Sequence, residues 1–135
     1  MNTMDNPSEL IEKYAKEIEA DTQLDVTNIM EKQLSAPNVK HKWLYRLTQT
    51  KRDLFRLLDK KEDMLQQELA GNPLNLPKIS VQRKLDNSAD MIKLNRLIRE
   101  QELLIEYLDN NVNKIFSQIG FDFKNLVELM KMEQL

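Results

Sequence analysis

The sequence predicts an all-α protein of about four to five helices, two of them long, with a loop or arm between the long pair. Three observations point there. Charged residues make up 31% of the chain. Only two glycines and four prolines interrupt 135 residues. Apolar residues recur every three or four positions over stretches of more than twenty residues, the period of a helix with one buried face. The length fits a single domain over 1–135 with a modest core.

The elements follow in order. Asn6-Pro7-Ser8-Glu9 reads as a helix start, with Asn6 as cap, Pro7 at the first helical position and Glu9 at the capping-box position. Ile11, Tyr14 and Ile18 continue the helical spacing to about Ala20, where Asp21-Thr22 marks a break or a new cap. A second short helix carries Leu24, Ile29, Met30 and Leu34, so the N-terminal helices occupy 8–34, and Ser35-Ala36-Pro37-Asn38 punctuates. The long basic helix spans 38–70 on Trp43, Leu47, Thr50, Leu54, Leu57 and Met64, with Gly71 as its stop. Residues 71–85 lack a helical period and read as a loop or arm, long enough to suspect a function. A second long helix, 86–119, carries Leu94, Ile98, Gln101, Ile105, Leu108, Val112, Ile115 and Ile119 in alternating steps of four and three, a coiled-coil-like seam able to pair helices between subunits. Gln101 is either a tolerated polar position or a determinant of register or oligomer state. Gly120 stops this helix, and Asp122 caps a C-terminal helix, 122–133, that turns Phe123, Leu126, Val127 and Met130 inward.

A formal charge of −2 conceals strong blocks. Residues 1–39 are net −5, 40–61 net +6, 62–77 net −3, 78–99 net +4 and 100–135 net −4. On a helix, Lys42, Arg46, Arg56 and Lys60 fall within about 80° of arc, turned about 100° from the centre of the apolar face, with Arg52 at their border. Like charges one turn apart repel by a few tenths of a kcal/mol per pair. Such a stripe therefore asks for an anionic partner, although a solvated face is the common alternative. Trp43 adjoins the stripe. It can stack on bases, but its place on the apolar face favours burial.

Several classes of function are disfavoured. With no cysteine, thiolate chemistry and disulfides are out. The lone His41 has no partner to complete a metal site. Glu102, Glu106 and Asp109 share a helical face that reads as solvated rather than as a metal site. No nucleophile–base pair, Gly-rich phosphate loop or Gly-x-Ser-x-Gly turn is present. The expectation is a protein without catalysis, cofactor or metal. No apolar run approaches the ~18 residues of a membrane span, and the polar, acidic N-terminus is unlike a signal or transit peptide.

At Lys42-Trp43-Leu44 and again from Lys51 to Leu57 the chain resembles the UvsY-like recombination mediators of tailed phages. Similar features continue in the acidic N-terminal helix, the Gly-containing loop after the long helix, the SADMIKL run at 88–94 and the segment 115–135 with its Gly-Phe pair between two helices. The resemblance implies a protein that binds single-stranded DNA, helps displace the phage single-strand-binding protein and loads a UvsX-like recombinase for recombination and repair. It implies homo-oligomeric rings of about six or seven subunits in the cytoplasm of an infected bacterium. Where the family carries a basic LKARL-type stretch associated with DNA contact, this chain reads LQQELAGN at 65–72. Earlier cations or those of the following arm must then compensate.

The expected phosphate contacts are Lys42, Arg46, Lys51, Arg52, Arg56, Lys60, Lys78, Arg83 and Lys84, which would hold a strand without sequence preference. The expected oligomerisation residues are Leu94, Ile98, Ile105, Leu108, Val112, Ile115 and Ile119. The competing reading is a coiled-coil scaffold or adaptor that never touches DNA and whose acidic and basic blocks pair between subunits.

Overall fold

A computed structural model describes residues 6–25, 27–72 and 75–133, with the backbone alone at 114–116, 118–119 and 121–123. Its elements are α1 (Pro7–Thr22), α2 (Ile29–Ala70), α3 (Lys78–Asp86) and α4 (Ala89–Glu133). The all-α expectation holds. No helix among the described residues is long and apolar enough to cross a membrane.

α1 begins as its residues dictate. The Asn6 side chain accepts a hydrogen bond from the Ser8 amide at 3.1 Å, and Pro7 opens the first turn. The helix ends at Thr22, whose hydroxyl donates back to the Ile18 carbonyl, so the break expected at Asp21-Thr22 stands, while neither residue caps the next helix. The turn to α2 is bracketed instead by Asp25, which accepts from the Thr27 and Asn28 amides, and by Asn28, which accepts from the Asp25 amide. The Thr27 hydroxyl donates to the same carboxylate, and this bond first, then those from the amides, favours the ionised Asp25 and holds its pKa below the ordinary aspartate range.

Three sequence-based boundaries are corrected. First, the short helix expected to end at 34 and the long helix expected from 38 are one 42-residue helix with Pro37 inside it. Proline removes one donor, here the partner of the Gln33 carbonyl, and costs about 3 kcal/mol in a helix interior. Both residues are exposed, so water can satisfy that carbonyl. Tertiary contacts hold the first turns in place: Ile29 is buried, Val39 packs on the core, and the Lys32 ammonium donates to the Ala20 carbonyl at the end of α1.

Second, the arm at 71–85 contains a helix. Pro77 starts α3, its carbonyl accepting from the Ser80 and Val81 amides. Val81 and Leu85, one turn apart, are its buried residues, and α3 packs on α2 and α4. Arg83 and Lys84 in the last turn suit the helix dipole. Nine residues supply one i,i+4 apolar pair, too little to register as a period. Gly71 does end α2, but at φ −87°. Among the described residues of this connection, Asn75 is left-handed, at φ 50°.

Third, α4 does not stop at Gly120. It runs unbroken for 45 residues, so the segment expected as a separate helix at 122–133 is its continuation. A lone glycine costs about 1 kcal/mol relative to alanine. That does not break a helix flanked by helix formers, and Gly120 is exposed with open space where a Cβ would stand.

α2 and α4 are antiparallel. One cluster joins Trp43 and Leu47 of α2 to Leu104, Leu108 and Val112 of α4, with Ile18 from α1. A second joins Leu57 of α2 to Met91, Leu94 and Ile98 of α4, with Leu85 from α3. Between them lies a buried polar layer. The Gln101 amide donates to the Thr50 carbonyl at 2.9 Å, and the Thr50 hydroxyl to the Arg46 carbonyl at 2.7 Å. Both side chains are 4% exposed. A one-turn slip of α4 along α2 would strand this amide in an apolar cluster, which penalises wrong registers. Gln101 is thus a register determinant within one chain.

Candidate nucleic-acid interface

α2 turns two kinds of basic residue to two environments. Lys42 and Arg46 lie one turn apart and face α1, where Glu17 and Asp21 have the same spacing. Lys42 pairs with Asp21 at 2.6 Å and with Glu17 at 3.4 Å, and Arg46 pairs with Glu17. Trp43 sits between them, fully buried, and its indole N–H donates to the same Asp21 carboxylate at 2.9 Å. The Tyr14 ring meets the indole edge-on, centroids 5.5 Å apart. The Arg46 guanidinium lies 4.8 Å from the Trp43 centroid and 5.1 Å from that of Tyr14, and the Lys42 ammonium lies 5.2 Å from the indole. Cation, ring and carboxylate therefore satisfy one another, with cation–π attraction added to the ion pairs. The hydrogen bond from Arg46 holds the Glu17 carboxyl below the ordinary glutamate range, reinforced by the charges of Arg46 and Lys42.

Two of the expected DNA contacts are thus already ion-paired within the fold. Lys42 and Arg46 are half-buried and neutralised by α1, so their charge is spent inside the molecule. The same arrangement settles Trp43, which has no face open to a base. Arg56 is exposed but pairs with Asp53 of its own helix at 3.2 Å. Lys51, Arg52 and Lys60 are exposed and make no ion pair with a described residue, and the same holds for Lys78, Arg83 and Lys84. The last three stand on the surface of α3 rather than on a loop.

Sequence reasoning passed over two groups. Lys93, Arg96 and Arg99 of α4 are exposed and without ion pairs among the described residues. They belong to the positive block 78–99 but lie outside the basic stripe of α2. Tyr45 and Phe55 are exposed aromatics on the outer face of α2. Their angular distance from the Trp43–Leu57 face marks them on a helical wheel.

The residues expected to join subunits are mostly used within the chain. Leu94, Ile98, Leu108 and Val112 are buried, and Ile105 packs half-buried against the first cluster. The side chains of Ile115, Ile119 and Phe123 lie outside the described residues, while Leu126, Val127 and Met130 are half-buried.

Between the lower halves of α2 and α4 runs an open cleft of about 690 Å³, lined by Lys60, Glu68, Asp90 and Lys93 above an apolar floor. Its charges balance, so it does not select an anion. Among the described residues no group of three or more His, Asp or Glu side chains is placed to hold a metal ion, Glu102, Glu106 and Asp109 included.

No family model matches this sequence, and no curated protein matches it. The fold does have a counterpart. The crystal structure of the bacteriophage T4 recombination mediator protein UvsY superposes with a TM-score of 0.75, covering 90% of this chain and 97% of that one, at 17% sequence identity. The helical arrangement is that of the T4 protein over nearly its whole length.

Proposed function

We propose that this chain is a phage recombination mediator that works by binding single-stranded DNA. The observation that carries the reading is the near-complete correspondence of fold with the T4 mediator. Its own surface adds a chemical reason: Lys51, Arg52, Lys60, Lys78, Arg83 and Lys84 are exposed cations that form no ion pair with a described residue. Such charges bind phosphates without reading bases. In this reading the chain helps displace the single-strand-binding protein and presents the strand to a UvsX-like recombinase. It turns over no substrate, and it acts in the cytoplasm of the infected cell.

One subunit of net charge −2 binds weakly, and several acting on one strand bind far more tightly. A ring of about six or seven subunits supplies that multiplicity. Because most of the α4 seam is buried in its own chain, assembly draws on apolar side chains left outside, such as Met30, Leu34, Leu129 and Met132.

Fluorescence anisotropy on labelled single-stranded oligonucleotides, combined with sedimentation, tests the reading. The expected result is oligomeric protein that binds unrelated sequences about equally and releases them as salt rises. A monomer, or no binding at low salt, would overturn it.

A further inference from the structure

Tyr45 and Phe55 stand out on the exposed face of α2, 55% and 61% accessible. Ten residues apart on one helix, they are separated by about 15 Å along the axis and about 80° around it. Arg52 and Thr48 lie between them on the same outer face, and Lys51 borders it. The Tyr45 hydroxyl accepts a hydrogen bond from the Gln49 side chain at 2.7 Å, which steadies the ring on the helix surface. Neither Lys51 nor Arg52 has an ion-pair partner among the described residues, and α2 holds no acid between Glu31 and Asp53.

We infer that Tyr45 and Phe55 are base-stacking residues of the DNA site, with Lys51 and Arg52 holding the phosphates beside them. This rests on the single-strand-binding reading above. Aromatic rings interleaved with cations suit an unpaired strand, because every base has a π-face and every nucleotide a charge. At ~3.4 Å per stacked nucleotide the rings are about four nucleotides apart. A duplex keeps its base faces covered, so the same surface discriminates against it. A second copy of this chain is the competing occupant. Self-complementary docking along this face would set Lys51 and Arg52 against their own copies, and like charges oppose it.

The test compares a labelled oligothymidylate with an abasic deoxyribose-phosphate strand of equal length, each titrated over several salt concentrations. Wild-type protein should bind the base-containing strand more tightly. Tyr45→Ala/Phe55→Ala should lose at least about tenfold in affinity for that strand and nothing for the abasic one. Its salt slope, helical circular dichroism and sedimentation should be unchanged, and Tyr45→Trp/Phe55→Trp should restore the preference. Equal binding by variant and wild type on both strands would overturn the inference. So would an equal loss on both strands, or a change in particle size, which would assign the face to contacts between copies. Wild-type protein that binds neither strand would instead refute the single-strand reading, and this inference with it.

Discussion

The two halves of the basic helix have similar sequences and opposite fates. At 42–46 the cations flank a tryptophan and face an acidic helix, so they are neutralised, half-buried and committed to the fold. At 51–60 Lys51, Arg52 and Lys60 form no ion pair with a described carboxylate and remain exposed, and Arg56 pairs only within its own helix. A positive stripe on a helical wheel is thus two different objects once the neighbouring helix is known. Its charge informs about ligands only where no internal carboxylate has already answered it.

The largest test of that contrast is stability. Trp43→Ala should cost about 3–5 kcal/mol in urea unfolding, because it empties the first cluster and leaves Asp21, Lys42 and Arg46 without the ring they surround. Lys51→Ala/Arg52→Ala, in the open half, should stay within ~0.5 kcal/mol of wild type. A comparable loss from both would erase the distinction between the halves.

Acidity sharpens the comparison at smaller scale. The Glu17 pKa is lowered in the folded state, so the carboxylate stabilises the protein above its unfolded pKa, and that contribution fades as pH falls through the folded value. Glu17→Gln should therefore be less stable than wild type near neutral pH, by about 1 kcal/mol for a partly exposed pair. The two should converge in acid, below the ordinary glutamate range. A gap that persists unchanged at pH 3 would mean that packing rather than charge holds α1 to α2.

The smallest effect concerns the continuity of α4. Gly120→Ala introduces a side chain into open space within a helix. It should raise stability by about 0.5–1 kcal/mol. A loss would show that the chain bends at this residue, as its sequence first suggests.

What could be read without coordinates follows from the range of the forces involved. Periodicity identified the α2 face of Trp43, Leu47, Thr50 and Leu57 and the α4 face of Leu94, Ile98, Gln101, Leu108 and Val112, because burial leaves a local pattern. Boundaries failed where one residue's preference met long-range packing. Pro37 and Gly120 are breakers in isolation, yet long helices absorb them. The candidate surface was half legible. Charge density pointed to Lys51, Arg52 and Lys60, which stand exposed, but the pairing of Lys42 and Arg46 with α1 depends on contacts across 21 to 29 residues. The matching i,i+4 spacing of Glu17–Asp21 and Lys42–Arg46 was the one available hint. Tyr45 and Phe55 lie off the apolar periodicity, whereas the single tryptophan lies on it and is the aromatic that the fold buries.

The most direct measurement of the central claim is the salt dependence of single-strand binding for two double variants, each compared with wild type. Each phosphate contact removed flattens the slope of log affinity against log salt by about 0.7. Lys51→Ala/Arg52→Ala should flatten it by about 1.4 per engaged subunit and weaken binding to every sequence alike. Lys42→Ala/Arg46→Ala, measured where it remains folded, should leave the slope at its wild-type value. The reverse pattern, an altered slope for Lys42 and Arg46 and an unaltered one for Lys51 and Arg52, would contradict the division of the helix.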